Sequence, residues 1–304
     1  MYHNPVLLHE AIEGLAVIPG GIYVDATFGG GGHSRAILEK LDEKGRLIAF
    51  DQDPEAAGNV PGDQRLQFLN HNFRYMQNFL RMYGFLPVNG ILADLGVSSH
   101  QFDQAYRGFS TRFPGPLDMR MNRDSGLSAS EIIHTYDEAQ LRDVFFLYGE
   151  LRNAGKIAGM ITRKRKSDTI DTTDQLMDTL RDAAPRGREN QFFARVFQAL
   201  RIEVNKELDA LRDLLEQSLE VLKPGGRLVV ISYHSLEDRL VKNFMRAGNF
   251  EGSIRKDFYG NPQVPFKPAG KSMAPSAGEI SKNPRARSAR LRIAEKIEIK
   301  TNSH

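Results

Sequence analysis

Four consecutive glycines, Gly29 to Gly32, constrain the fold more than any other feature of this chain. The apolar run 21–24 precedes them, and the helix-like run 34–39 follows. This order predicts a strand, a glycine turn and a helix. Such a turn leaves room for a small ligand, and a triphosphate, a dinucleotide and another adenosine compound are the three classes to separate.

The first hundred residues predict an α/β fold. Apolar runs at 22–25, 47–51, 66–69 and 91–94 alternate with helical patterns at 34–41, 54–59 and 73–83. Strands that alternate with helices favour a parallel, doubly wound sheet of the Rossmann-like kind.

A long helical region interrupts this alternation after Asp94. No strand-like run returns before residues 227–232, and capping-box patterns start at Ser128, Thr135 and Thr172. Because a strand-to-strand crossover needs only one helix, we interpret this region as an inserted domain. The predicted boundaries are 1–103 for the first part of the core, 104–200 for the helical insert and 201–304 for the second part of the core.

Two further segments complete the predicted organisation. Apolar residues at steps of three and four predict one helix from Val204 to Leu222, which Lys223 to Gly226 would end. The segment 251–284 contains five prolines, which discourage regular structure.

Composition excludes several kinds of site. The chain of 304 residues has no cysteine, which rules out disulfides, thiolate metal sites and a cysteine nucleophile, and we expect no metal site. No apolar run reaches the roughly 18 residues of a membrane span, and the N-terminus lacks a secretory pattern. We therefore expect a cytoplasmic protein without membrane partners.

The residues around the glycines favour a cationic adenosine compound. His33 and Ser34 stand where a phosphate-binding loop needs Lys and Ser or Thr, which excludes the triphosphate. Asp51 lies at the distance along the chain where a carboxylate meets ribose hydroxyls. With Asp25 and Asp94 it would form an acidic edge, which suits the sulfonium and ammonium of S-adenosylmethionine better than a pyrophosphate. The alternatives are an empty turn with aspartate caps and a nicotinamide-dependent dehydrogenase.

The absence of cysteine also limits the methylation chemistry. Methylation of a pyrimidine at C5 needs a cysteine thiolate, so direct transfer to a nitrogen or an oxygen remains. Hydrogen-bond acceptors near Asp94, in the turn 93–101, would localise the lone pair of an exocyclic base amine.

Motifs throughout the chain carry a specific resemblance. The segment from Leu222 to Ile231 resembles the approach to the fifth strand of class I methyltransferases. The family motifs are Asn4 to Leu8, Gly31 to Ser34, DLGVSS, RGFS, GPLDMRM, Arg201 to Asn205, Ser232 to Arg239 and Asn283 to Ser288. Together they resemble the bacterial RsmH (MraW) family, with a helical substrate-recognition insert in a class I methyltransferase core.

This resemblance implies an activity and a set of site residues. The family methylates N4 of a cytidine in the decoding region of small-subunit rRNA with S-adenosylmethionine. Gly31, Gly32 and His33 would contact the methionine end of the cofactor and Asp51 the ribose. The adenine side would meet Phe73 and Asp94, and Gln101 would close the pocket.

Three residues are candidates for the catalytic site. They are Asp94, Asp118 and His234. Asp118 would orient the cytosine or form a structural ion pair with Arg120. His234 would accept a proton, contact RNA or be a structural histidine, beside Ser235 as the cap of the next helix.

Other features of the chain leave alternatives open. His100, Phe113-Pro114 and Asn122 depart from the family pattern and leave the active-site loop open. The basic tail from Arg285 to Arg292 suits phosphates or a charged surface strand, and Phe258, Tyr259 and Phe266 would stack on unpaired bases or anchor the loop. A ribosome assembly factor without turnover is the alternative function. The turn after Asp94 disfavours DNA as substrate, and the sequence is compatible with a homodimer without fixing it.

Overall fold

A computed structural model describes residues 5–298, so Asn4 of the first motif lies outside the described residues. The chain divides into two compact units. The sheet unit comprises Met1–Gly96 and Asp209–His304, and the helical unit comprises Val97–Leu208. The sequence-based boundaries of the insert were 104 and 200.

A seven-stranded sheet forms the centre of the sheet unit. Its strands are β1 (Ile22–Asp25), β2 (Arg46–Phe50), β3 (Leu66–Leu69), β4 (Val88–Asp94), β5 (Leu222–Ser232), β8 (Phe266–Pro268) and β9 (Arg290–Lys296), and β6 (Arg255–Lys256) and β7 (Pro262–Gln263) form a separate hairpin. The strand order is β3-β2-β1-β4-β5-β9-β8, with the first five strands parallel and β9 antiparallel to β5. The predicted doubly wound α/β fold is confirmed.

The inner parallel strands are buried on both faces, whereas the edge strand β3 is only partly buried. Consecutive residues of a strand point to opposite faces, and Ile91 and Leu92 of β4 and Val229 and Val230 of β5 are all 0% exposed. Continuous apolar runs are what a sheet covered by helices on both sides requires. The carboxyl ends of β1, β2 and β4 therefore lie at one edge of a rigid sheet, which positions the residues that follow them.

Twelve α-helices lie within the described residues 5–298. They are α1 (Leu8–Leu15), α2 (Gly32–Leu38), α3 (Met76–Met82), α4 (Ser99–Asp103), α5 (Ala129–Thr135), α6 (Glu138–Leu147), α7 (Ala154–Lys164), α8 (Thr173–Leu180), α9 (Glu189–Asn205), α10 (Glu207–Val221), α11 (Ser235–Ala247) and α12 (Ala277–Lys282). The predicted helix at 54–59 is a 3-10 helix, whose hydrogen bonds join residues three apart, such as Ala56 N–H to Asp53 O. Among these described segments, none is long and apolar enough to cross a membrane.

Capping boxes start several helices of the helical unit. Ser128 with Glu131 caps α5, and Thr172 with Gln175 caps α8, as predicted. The predicted box of Thr135 is wrong, because Thr135 is the last residue of α5. Asp137 caps α6 instead, through the backbone N–H of Gln140.

The predicted helix from Val204 to Leu222 is confirmed as α10 over Glu207–Val221, but both of its predicted ends are wrong. Lys206 adopts the left-handed conformation, with φ of 49°, and separates α9 from α10. Leu222 already belongs to β5, which pairs with Val88 of β4. A repeat with helical spacing therefore continues across a break that no glycine or proline announces.

The segment 251–284 holds more regular structure than its prolines predict. It contains β6, β7, β8 and α12. Of the basic tail, Arg290 and Arg292 lie in β9, so the surface-strand interpretation holds for them. Arg292 forms a two-contact ion pair with Asp238, with N–O distances of 2.7 and 2.9 Å.

Candidate cofactor and active site

The glycine turn is shaped by backbone conformation and close packing. Gly29 and Gly31 have φ of 51° and 73°, a region that side chains disfavour. A Cβ at Gly32 would lie 2.1 Å from Cγ of Pro5, so this glycine allows the helix start to pack against the N-terminal segment. A Cβ at Gly29 would meet nothing within 4 Å, which leaves open space beside the turn.

Asp25 ends β1 and is fully buried. Its Oδ2 accepts a hydrogen bond from Ser34 Oγ at 2.6 Å, and its Oδ1 accepts one from the backbone of Thr27 at 3.1 Å. Burial raises the pKa of Asp25 to about 6, although both hydrogen bonds oppose the shift. Asp25 thus ties the end of β1 to the start of α2.

Asp51 follows β2 and holds the glycine turn. Its Oδ2 accepts a hydrogen bond from the backbone N–H of Gly29 at 2.7 Å, and its Oδ1 accepts one from Asp53 at 2.9 Å. Burial raises the pKa of Asp51 to about 6, with smaller contributions from the charges of Asp53 and Asp25. A carboxylate oxygen can accept more than one hydrogen bond, so Asp51 can still accept one from a ribose hydroxyl. This contact stays a prediction.

Asp94 ends β4 and is fixed from two sides. Its backbone N–H donates to Thr27 Oγ1 at 2.7 Å, and its Oδ1 accepts a hydrogen bond from the Tyr233 hydroxyl at 2.8 Å. Burial raises the pKa of Asp94 to about 7, and the hydrogen bond from Tyr233 limits the rise. The side chain keeps 21% of its surface exposed, so the carboxylate remains reachable by a ligand.

His33 lies beside Asp94 as a neutral ring. Its Nδ1 is 3.7 Å from Oδ2 of Asp94, which is too long for a hydrogen bond. Burial lowers the pKa of His33 to about 4, against a weaker opposing effect of the Val6 backbone. Because the imidazole is uncharged at neutral pH, it does not neutralise the carboxylate.

Asp25, Asp51 and Asp94 therefore form an acidic edge, and no lysine or arginine of the described residues forms an ion pair with any of the three. The charge of Asp25 raises the pKa of both other carboxyl groups. Three carboxylates around an open glycine turn suit a nucleoside with a positive charge and disfavour a pyrophosphate. The residues present therefore fit S-adenosylmethionine.

Phe73 begins a short 3-10 helix after β3 and is half-buried. Asn72 caps this helix and donates a hydrogen bond to Gln52 Oε1 at 2.7 Å. The segment that carries Phe73 is thereby tied to the residue after Asp51. Its predicted contact with the adenine side of the cofactor stays a prediction.

His234 caps α11, a role that the sequence interpretation gave to Ser235. Its Nδ1 accepts a weak hydrogen bond of 3.4 Å from the backbone of Glu237, and its Nε2 is 3.2 Å from Oε1 of Glu237. Ser235 is the first residue of the helix. Both ring nitrogens of His234 thus face Glu237, which supports the structural interpretation; its catalytic role stays a prediction.

In the helical unit, Asp118 forms the ion pair that the sequence interpretation allowed. Its two carboxylate oxygens lie 2.7 Å from Arg120 Nε and 3.2 Å from Arg123 Nε. Burial acts to raise the pKa of Asp118, but the hydrogen bonds and charges of both arginines outweigh it and lower the pKa. The carboxylate is thus held charged.

Gln101, also in the helical unit, belongs to a capping box. Its Oε1 accepts a hydrogen bond from the backbone of Ser98, and its own backbone N–H donates to Ser98 Oγ, both at 3.1 Å. The pattern Ser98-x-x-Gln101 announces this box in the sequence, and the sequence analysis missed it. The role of Gln101 in closing the pocket stays a prediction.

Tyr233 is the most consequential residue that the sequence analysis did not assign. It follows β5 directly, so it lies at the same sheet edge as Asp94, and its ring packs beside Gly96. A Cβ at Gly96 would lie 3.3 Å from the Tyr233 ring. The position directly after a predicted strand was the available signal.

The whole chain matches a known family. A model of the MraW methylase family matches residues 1–297. A relative from Flavobacterium johnsoniae, named ribosomal RNA small subunit methyltransferase H, is 56% identical over 97% of this chain and 98% of its own. A relative of the same name from Cytophaga hutchinsonii is 54% identical over 97% of this chain and 100% of its own.

The solved structures to which the chain is similar share much less of its sequence. A putative rRNA methylase from Clostridium thermocellum is 12% identical, with a TM-score of 0.46 over 97% of this chain and 100% of that chain. A putative methyltransferase from Streptococcus mutans, in complex with SAH, is 13% identical, with a TM-score of 0.44 over 98% and 100%. The family match over the whole chain and the identity to its relatives settle the classification and reject the dehydrogenase. The chain belongs to the MraW methylase family and is an S-adenosylmethionine-dependent methyltransferase.

Proposed function

We propose that this protein methylates N4 of a cytidine in the decoding region of small-subunit rRNA. The observation that carries the proposal is Asp94, a carboxylate at the end of β4 that is partly exposed and has a pKa of about 7. The relatives that share more than half of its residues are named ribosomal RNA small subunit methyltransferase H, which supports rRNA as the substrate class.

The cofactor site is proposed at the acidic edge of the sheet. When bound, S-adenosylmethionine supplies a methyl group activated by a sulfonium. Gly31, Gly32 and His33 hold the methionine end, and Asp51 holds the ribose. Phe73 and Asp94 lie on the adenine side, and Gln101 closes the pocket.

Asp94 also acts on the acceptor in this proposal. Tyr233 occupies Oδ1 of Asp94, which leaves Oδ2 as the acceptor for an N–H of the exocyclic amine. The lone pair of this amine is delocalised into the base, and a hydrogen bond to a carboxylate localises it as the new bond forms. A pKa of about 7 is also suited to accepting the proton that the amine loses.

The helical unit is proposed as the part that recognises the substrate. Asp118 lies in the motif GPLDMRM, where Arg120 and Arg123 fix its carboxylate. A fixed, charged acceptor suits the N–H edge of a cytosine, so we assign Asp118 to orienting the base. The cytoplasmic location, the exclusion of DNA and the homodimer stay predictions.

The test is a transfer assay with labelled S-adenosylmethionine. Unmodified small subunits, naked rRNA and DNA serve as separate acceptors, and digested nucleosides are identified by mass. Label in N4-methylcytidine is expected from the ribosomal acceptors. Another methylated nucleoside would refute the assigned atom, and cofactor binding without any label would identify an assembly factor instead. For an Asp94→Asn variant in this assay, the matched control is Asp63→Asn, because Asp63 is an acidic residue that is paired with Arg65 away from the acidic edge.

A further inference from the structure

The hairpin of β6 and β7 carries two aromatic rings that the proposed cofactor site does not use. Phe258 is 97% exposed and Tyr259 is 82% exposed at the tip of this hairpin. An aromatic ring exposed to this extent gains nothing from the core of the protein, because almost none of its surface is buried. The two rings therefore need an explanation outside the fold of this chain.

The tip is an ordered turn. The Asp257 carboxylate accepts hydrogen bonds from the backbone N–H groups of Tyr259 and Asn261, at 2.9 and 2.8 Å. Its other oxygen accepts one from Asn261 Nδ2 at 3.1 Å. Gly260 turns the chain with φ of 86°. The backbone thus presents the rings in a fixed place, which lowers the entropic cost of binding a partner.

The two rings are arranged for two separate contacts. Their centroids lie 5.5 Å apart, with planes at 87° to each other. They therefore do not stack face to face, and each keeps a face available. Phe266, the third aromatic residue of this segment, is instead 1% exposed and packs near Phe244, so it anchors the base of the segment to the core.

The charges next to the rings are basic. Arg255 and Lys256 form β6 and are exposed. Within residues 5–298, the structure gives neither cation an ion-pair partner. The carboxylate of the adjacent Asp257 is occupied by hydrogen bonds within the turn. Positive charge is thus available on the strand that leads into the rings.

Exposed aromatic faces next to unpaired cations match the chemistry of a single-stranded nucleic acid. Unpaired bases stack on aromatic rings, and the cations meet the phosphates between them. A paired helix hides its base faces, and an acidic protein segment offers no flat faces to stack on. We propose that the tip of the β6-β7 hairpin, Phe258 and Tyr259 with Arg255 and Lys256, binds unpaired nucleotides of the RNA substrate.

This proposal rests on the proposed function for the identity of the RNA, but its test does not need turnover. The probe is a fluorescein-labelled single-stranded RNA of about twelve nucleotides and mixed sequence. Its Kd is measured by anisotropy beside that of a fully paired RNA hairpin. The variants are Phe258→Ala, Tyr259→Ala and their double variant. Tyr83→Ala is the matched control, because Tyr83 is an exposed aromatic residue (43%) at the end of α3 in the sheet unit.

We expect each alanine variant to raise the Kd for the single strand about tenfold, because one stacking contact is lost. The Kd for the paired RNA changes less, and Phe258→Trp restores binding. Replacing Arg255 and Lys256 by glutamine reduces the slope of log Kd against log salt concentration by about 1.4 in total. Unchanged Kd values in the double variant would overturn the proposal.

Assays with small subunits separate this proposal from the proposed function. The aromatic variants are expected to raise the KM for subunits and to leave kcat and the cofactor Kd unchanged. A raised KM for subunits with an unchanged Kd for the RNA probe would assign the contact to a ribosomal protein and overturn the RNA proposal. If the wild-type protein methylates no rRNA, the proposed function fails, while the anisotropy results still decide whether the hairpin binds RNA.

Discussion

The acidic edge of the sheet and the GPLDMRM segment of the helical unit each hold an aspartate, and they shift its pKa in opposite directions. Asp94 has a pKa raised to about 7 by burial, and no arginine or lysine of the described chain offsets it. Asp118 has its pKa lowered, because Arg120 and Arg123 contact both of its oxygens. The charge of Asp118 is thus compensated by two arginines of its own chain, whereas no cation of the described residues compensates the charge of Asp94.

This difference supports the proposed binding of a positively charged ligand at the acidic edge. A buried carboxylate without a cation costs stability, which a protein retains when function needs it. Asp25 and Asp51 share this condition at the same edge. Asp118 is held in place by its two arginines, whereas the proposed role of the acidic edge is to receive a cation.

The largest effect is expected from Asp94→Asn. The amide keeps the shape but cannot accept a proton, so kcat should fall at least a hundredfold in the labelled transfer assay. Turnover within tenfold of the wild type would remove Asp94 from the mechanism.

The stability of the Asp94→Asn variant should increase. Since the pKa of Asp94 is higher in the folded protein than in the unfolded one, the carboxylate costs stability as pH rises from about 4 to about 7. The variant should unfold at higher denaturant concentration than the wild type above pH 7.

Asp118→Asn is expected to have the opposite effect on stability and to destabilise the protein. The substitution leaves Arg120 and Arg123 without their common carboxylate, so the free energy of unfolding should fall by about 1–2 kcal/mol. Denaturant unfolding at neutral pH measures the change, with Asp63→Asn as the control for a more exposed ion pair. A stabilised Asp118→Asn variant would break the contrast between the two regions.

Tyr233→Phe tests how Asp94 is tuned. Loss of the hydroxyl removes a hydrogen bond that lowers the pKa of Asp94, so the acidic limb of the pH-rate profile should move up by about one unit. We expect kcat at neutral pH to fall about tenfold, because a hydrogen bond to a charged group is lost. Tyr75→Phe, at a 50% exposed tyrosine, is the control. An unmoved pH profile would show that Tyr233 does not act through Asp94.

The smallest effect concerns the charge of the cofactor. As pH rises through about 6 to 7, the acidic edge ionises and should attract the sulfonium of S-adenosylmethionine, but not the neutral sulfur of its demethylated product. The ratio of the two affinities should therefore increase about fivefold to tenfold from acid to neutral pH. Calorimetry in two buffers measures the affinities and the protons released. A ratio independent of pH would show that the carboxylates do not sense the sulfonium.

The parallel part of the sheet was predictable because its signal is local. The runs at 22–25 and 66–69 match β1 and β3 residue for residue, because turn and helix signals bound each short run in the sequence. Strand β9 was predicted only as an alternative to a phosphate-binding tail, because Arg290 and Arg292 give it the appearance of a basic tail. Its place in the sheet depends on pairing with β5, far away along the chain.

The site was predictable at the level of strand ends. Asp25, Asp51 and Asp94 follow from the alternation of strands, which brings their positions to one edge. The partners that set their chemistry, Ser34 for Asp25 and Tyr233 for Asp94, depend on contacts that no local pattern encodes. The capping role of His234 was missed because histidine is not among the residues that usually begin a helix.

The position of β9 also has a consequence for biosynthesis. Strand β5 lies between β4, which comes before the helical unit in the chain, and β9, which follows β5 after a long excursion. While the polypeptide is being made, β5 has only its parallel neighbour, and its outer edge stays open until residues 290–296 have been added. An open edge invites pairing with other chains. The growing polypeptide thus passes through a stage at risk of aggregation, and its last described strand ends that stage.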